Sequence, residues 1–257
     1  MTDAVLSFQT VSKNFSGLRV VDEVSFDVAR GSRTALIGPN GAGKTTVFNL
    51  ISGVYPIDDG KVLLDGIDIT HLPDRERINK GISRSFQNIR LMPHLSAVEN
   101  VMLGQHARAR RLGSLLFPLG WLPGNRWARE AADALAQAGL GTYPGEVVAN
   151  LPYGVQKRIE VVRAMMSDPK VLLLDEPAAG LNEKETEELQ LLLEGVSKRG
   201  VTLLVVEHDM QFVRSLCDHV VVLNFGKKIF EGPSNEVQRD PGVLEAYLGS
   251  EAVGDAA

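Results

Sequence analysis

Two periods of apolar positions run along this chain, and they predict two kinds of layer. Val171-Leu172-Leu173-Leu174 shows no alternation, and neither do Val201–Val206 nor His219–Leu223. Unbroken apolar runs of this length mark strands buried on both faces, as in a parallel sheet covered by helices. Val5–Thr10 and Val24–Val28 alternate instead, and Lys61–Gly66 reads as a strand ending in a turn. These predict an antiparallel layer with one wet face. Asn14-Phe15-Ser16-Gly17 is a turn carrying an aromatic. Arg75–Lys80 is charged and helix-compatible, and helical spacing appears over Glu99–Ala109, Ala128–Ala138 and Val155–Ser167, the last with Val155, Ile159, Val162 and Met166 on one stripe. Asn182 caps a further helix with Glu183 and Glu185 in its first turn, ended by Lys198-Arg199-Gly200. Met210–Cys217 forms the helix between the last two buried strands. Ser83–Asn88 reads as a polar loop holding one apolar side chain, Phe86, and the small, polar tail from Ser250 as frayed.

Composition narrows the class without choosing the function. The 257 residues are 44% apolar and 23% charged, an ordinary globular balance. A net charge of −5 provides no basic field for nucleic acid. One cysteine, Cys217, cannot pair within the chain and fits a reducing compartment. Met1-Thr2-Asp3-Ala4-Val5 lacks the look of a signal peptide. No apolar stretch reaches the roughly 20 residues of a membrane span. The protein is therefore expected to work outside the bilayer.

The chemistry centres on Gly38-Pro39-Asn40-Gly41-Ala42-Gly43-Lys44-Thr45-Thr46, which fits G-x-x-x-x-G-K-S/T. Thr34-Ala35-Leu36-Ile37 leads in as a strand and Val47-Phe48-Asn49-Leu50-Ile51 continues as a helix. In that context the loop's backbone N–H groups and the helix N-terminus can close around a triphosphate. Lys44 is then expected on the β- and γ-phosphates and Thr45 at magnesium. Asp175 and Glu176 stand at the tip of a buried strand, Asp175 placed for magnesium and Glu176 for polarising an attacking water. On an extended segment their side chains are expected to point in opposite directions. The remaining histidines, His71, His94, His106 and His219, show no metal-ligand spacing. His106–Arg111 is a basic run whose simplest reading is a solvated helix face.

Taken in order, these motifs resemble the nucleotide-binding subunit of an ATP-binding cassette (ABC) transporter. The set comprises Gly38–Thr45, Gln87 after a strand, a signature at Leu151-Pro152-Tyr153-Gly154-Val155-Gln156, Val171–Glu176, a D-loop at Ala179-Gly180-Leu181-Asn182, and His208. Finer features resemble the branched-chain amino-acid importer subgroup: Asn88-Ile89-Arg90-Leu91, the Pro-Tyr-Gly signature, Asp175–Asn182 and the ending Glu245-Ala246-Tyr247-Leu248-Gly249. The chain departs from the wider Leu-Ser-Gly-Gly-Gln signature at Pro152, Tyr153 and Val155. The resemblance implies an α/β fold: a P-loop NTPase core of mostly parallel sheet, an antiparallel β layer and a helical subdomain over about 88–163, within one domain of residues 1–249. It implies ATP and Mg2+ as ligands, with Thr45, Gln87 and Asp175 at the metal and Phe15 stacked on adenine; core packing is the rival role for Phe15. Catalytic roles fall to Glu176, His208, Gln87 and Lys44. Leu151, Pro152, Tyr153 and Gly154 would meet the nucleotide of a second ATP-binding subunit. Permease subunits, and indirectly a solute-binding protein, are the implied partners at the inner face of the membrane; no nucleic acid is. The uncharged stretch Leu112–Asn125 is either a loop over the helical subdomain or a contact to the permease. The ATPase of a urea or amide importer, that of a lipopolysaccharide exporter, and a soluble non-transport ABC ATPase are the alternatives.

Overall fold

The computed structural model describes residues 3–85, 89–106, 108 and 126–254. Gln87 and the Leu112–Asn125 stretch lie outside these residues. Two long strands, β1 (Ala4–Phe15) and β2 (Leu18–Ala29), open the chain as an antiparallel hairpin. Its tip, Ser16-Gly17, has positive φ at both residues (47° and 88°), the geometry that matches the twist of paired strands. With β4 (Asp59–Leu64) and β5 (Ile67–Asp68) they form a four-stranded sheet of order β2-β1-β4-β5. Both expected strands of the hairpin are longer than their alternation suggested.

The second sheet has six strands, in the order β10-β9-β3-β8-β7-β6. They are β3 (Arg33–Ile37), β6 (Ile82–Arg84), β7 (Val171–Asp175), β8 (Thr202–Val206), β9 (His219–Asn224) and β10 (Lys227–Pro233). Only the β9–β10 pair is antiparallel. Alternate residues of each strand enter different cores. Leu173, Leu204 and Val221 join the cluster shared with the first sheet and with Phe48 and Ile51 of α1 (Lys44–Ser52). Leu172, Leu174, Leu203 and Val205 join the opposite cluster under α6 (Glu183–Lys198) and α7 (Met210–Leu216). Two apolar faces explain why these strands show no polar alternation.

A third cluster is separate and helical. Val101, Leu135, Val155 and Ile159 meet between α3 (Ala97–Leu103), α4 (Arg126–Gln137) and α5 (Tyr153–Met165). Ser96 and Glu99 start α3 with a reciprocal capping box, two residues earlier than the expected start at Glu99. Asn182 and Glu185 do the same for α6, as the sequence indicated. The polar-loop reading of Ser83–Asn88 is corrected: Ser83 and Arg84 belong to edge strand β6, paired in parallel with Leu172 and Leu173. Helix α8 (Pro241–Gly254) takes in residues 250–254 of the expected tail.

One buried cation ties the layers. Arg77 of α2 (Asp74–Lys80) is 1% exposed and donates to the carbonyls of Leu50 and Ile51, closing the last turn of α1, and to those of Thr70 and Leu72. Burial pulls its pKa down to about 10, so it stays charged at neutral pH. Arg77→Leu leaves these carbonyls without their donor. Unfolding free energy should fall by roughly 2–4 kcal/mol, read as a lower urea midpoint at unchanged slope.

Candidate functional site

Chemistry can begin only where the buried strands end, and three adjacent strands end at one edge. β3 runs into Gly38, β7 into Asp175 and β8 into Glu207. A Cβ at Gly38 would lie 2.1 Å from the Leu223 carbonyl oxygen, and one at Gly43 would lie 2.8 Å from that of Val20. Only glycine lets the loop pass so close to β9 and β2. Gly43 (φ 101°) is the N-cap of α1 and supplies no side-chain cap, so the first-turn N–H groups face outward for an anion. Pro39, Asn40, Gly41 and Ala42 complete the turn, with Thr45 exposed and Thr46 half-buried. Lys44 Nζ donates to the carbonyls of Gly38 (2.6 Å) and Pro39 (2.9 Å). Burial lowers its pKa, while the charges of Glu176 and Asp175 push back, which places both carboxylates in its field.

Asp175 ends β7 at 6% exposure. Its Oδ2 accepts from Arg84 Nη2 at 2.6 Å. Arg84 also reaches Asn49 Oδ1 (2.6 Å) and Ser52 Oγ (3.2 Å) on α1 and lies over the Phe48 ring. Glu176 is not extended: its φ is +46°, and its N–H donates to Val206 O. The expectation that Asp175 and Glu176 alternate along a strand is therefore corrected. The chain turns at Glu176 through the left-handed region, at a cost of order 1 kcal/mol for a non-glycine residue. His208 follows β8 with Nδ1 3.9 Å from both Glu176 and Glu207 carboxylates. Glu207 is 1% exposed and accepts from the N–H groups of Ala178 and His208, joining the D-loop segment to the histidine turn. Burial raises its pKa, and those N–H groups pull it partly back.

The signature residues lie at the start of α5. Leu151 is buried in the helical cluster and Pro152 is the N-cap. Tyr153 is 43% exposed and packs 3.3 Å from where a Cβ on Gly180 would sit. A Cβ on Gly154 would collide with the Glu185 side chain, so signature and D-loop are fitted to each other. Lys157 on the same helix is buried; burial lowers its pKa, opposed by Glu160, Glu207, Glu176 and Asp175. Phe15, at the hairpin tip, is 37% exposed rather than packed in the core, edge-on to Tyr55 with centroids 5.2 Å apart.

Thr45 and Asp175 provide oxygen donors of the kind magnesium takes, and a carboxylate held by Arg84 through one oxygen keeps further acceptor capacity. Among the described residues no group of three or more His, Cys, Asp or Glu could hold a metal alone. The donor set suits an ion shared with phosphate oxygens. Sequence reading missed Arg84, Glu207, Lys157 and Tyr55. Arg84 was hidden by the loop reading of its strand; the others carry no local pattern of their own.

A family model described as ABC transporter matches residues 21–179. A second, described as branched-chain amino acid ATP-binding cassette transporter, matches residues 227–253. The high-affinity branched-chain amino acid transport ATP-binding protein BraF of Pseudomonas aeruginosa is 40% identical, with 97% of this chain and 99% of that protein covered. Its counterpart LivG of Escherichia coli is 37% identical at the same coverage, 97% and 99%. Among solved structures, the ADP conformation of an ATP-binding cassette of an ABC transporter superposes with a TM-score of 0.86 at 31% identity, covering 96% of this chain and all (100%) of that one.

The Arg84–Asp175 pair, with side chains 10% and 8% exposed, lends itself to a double-mutant cycle. Arg84→Leu alone should destabilise by about 3–5 kcal/mol, because it strands a buried carboxylate. Adding Asp175→Asn should return part of that loss, giving a coupling energy of roughly 1–3 kcal/mol in denaturant titrations.

Proposed function

Since the chain belongs to the ABC transporter family of ATP-binding proteins, we propose that it is the ATP-hydrolysing subunit of a membrane importer for branched-chain or other hydrophobic amino acids. The carrying observation is the convergence of the Gly38–Thr46 loop, the Asp175-Glu176 tip and His208 at one sheet edge. The names of the relatives and the match over residues 227–253 support the solute class.

In this reading the N–H groups from Gly41 to Thr46 and the α1 dipole hold the β- and γ-phosphates. Lys44 exchanges its loop carbonyls for phosphate oxygens. Thr45, Asp175 and Gln87 would hold Mg2+, which would supply positive charge against the phosphate oxygens. Glu176 accepts a proton from the attacking water, and His208 contacts the γ-phosphate. Phe15, steadied by Tyr55, stacks on adenine. A second ATP-binding subunit brings its own Leu151, Pro152, Tyr153 and Gly154 to this nucleotide, as this chain does for its partner. Closure of the pair on ATP and reopening after hydrolysis drive the permease, to which a solute-binding protein delivers the amino acid.

No helix among the described residues is long and apolar enough to cross a membrane, in keeping with a peripheral place on the inner face. The docking surface fits a cavity of about 520 Å³ between the core and the helical unit. Ile78, Met92 and Leu103 give it apolar walls, and Arg75, Arg163 and His106 give it basic ones. A short permease helix with an apolar face and acidic ends matches that lining.

Glu176→Gln should cut ATP turnover by about 10²–10⁴-fold while keeping ATP binding. The variant should elute at doubled mass with ATP and not with ADP. Near-normal hydrolysis by this variant would sink the assignment of Glu176. Ile78→Glu and Met92→Glu introduce charge where the side chains are 40% and 52% exposed. Both should lower co-purification with the permease subunits and leave ATP affinity unchanged in calorimetry.

A further inference from the structure

Two oxygen donors suited to magnesium come from different elements: Thr45 is the second residue of α1, and Asp175 is the last of β7. One side chain spans both elements. Arg84 ends edge strand β6, and the parallel register sets it beside Leu173 of β7. Strand alternation puts Asp175 on the same face as Leu173, which packs in one cluster with Phe48 and Ile51 of α1. Arg84 reaches into the space between that strand and that helix, and its side chain is only 10% exposed.

There the guanidinium divides its donors. Nη2 donates to Asp175 Oδ2 at 2.6 Å. Nη1 donates to Asn49 Oδ1 at 2.6 Å and to Ser52 Oγ at 3.2 Å, both on α1. Cζ lies 5.7 Å from the centre of the Phe48 ring, on the same helix. Asn49 and Ser52 follow Thr45 by about one and two helical turns. The helix that carries Thr45 and the strand that carries Asp175 are thus bound to one planar, rigid fork.

We propose that Arg84 is a positioning residue for the magnesium site: by binding α1 and Asp175 together it sets the spacing between the Thr45 hydroxyl and the Asp175 carboxylate. Magnesium takes close to octahedral geometry at short distances, so donors from separate elements suit it only when their separation is fixed. Groups that hydrogen-bond a metal-ligating carboxylate orient it and so tune metal affinity. The bond to Oδ2 uses one oxygen and leaves acceptor capacity on the other. The inference rests on reading Asp175 as a magnesium ligand.

Arg84→Lys keeps a positive charge beside Asp175 but cannot reproduce the planar fork. Calorimetry with a non-hydrolysable ATP analogue, in EDTA and then in excess Mg2+, gives the affinity gained from the metal. The metal-free affinity should stay at the parent level, while that gain shrinks by about 10-fold. Mn2+ binding to the analogue complex, read by electron paramagnetic resonance, should weaken by a similar factor. A role in packing alone would lower the melting temperature and leave the gain intact; an intact gain in Arg84→Lys overturns the inference. Should that variant not fold, Asn49→Ala decides, since it cuts the α1 side of the fork and spares the buried ion pair. It should lose about 2- to 5-fold of the gain, the scale of one hydrogen bond, and no loss overturns the inference. A parent whose affinity does not rise with Mg2+, or an Asp175→Asn variant that keeps the rise, overturns the reading of the metal site itself, and the inference with it.

Discussion

A sheet closed to water on both faces can carry charge only where its strands stop. Val171 to Leu174 of β7 and Leu203 to Val205 of β8 are fully buried, as are Leu36 and Ile37 of β3. No polar side chain is tolerated within these segments without a partner, because desolvation of an unpaired group costs several kcal/mol. The ends of β3, β7 and β8 are therefore where a lysine, two carboxylates and a histidine come together. Placing ligands outside the carboxyl ends of parallel strands is a general consequence of this architecture.

Near that edge, the buried Arg77 and Glu207 are bound to backbone, and Asp175 is bound to Arg84. Arg77 closes the C-terminal turn of α1, the helix that follows the glycine loop. Arg84 binds the same helix through Asn49 and Ser52 and, from the adjacent edge strand, holds Asp175. Helix α1 is thus fixed by arginines from α2 and β6. A helix so held presents its N-terminal N–H groups in one orientation, which is what preorganised anion binding requires.

The loops that carry the motifs are joined to one another as well. Glu207 connects the N–H of Ala178 to that of His208. Gly154 fits against Glu185, and Tyr153 against Gly180. The start of α5 therefore lies against the turn that opens α6, and Glu207 joins Ala178 to the histidine turn.

The sequence by itself determined the elements wherever the cause was local. Unbroken apolar runs marked β7, β8 and β9, Asn182 with Glu185 marked the start of α6, and the glycine spacing of Gly38 and Gly43 marked the tight turn between β3 and α1. What depended on long-range contact was not legible. Ser83-Arg84 has no strand pattern because an edge strand of three residues takes its conformation from pairing with β7. Glu176 looked extended, yet its left-handed turn is imposed by the neighbouring strand, whose Val206 carbonyl takes its N–H.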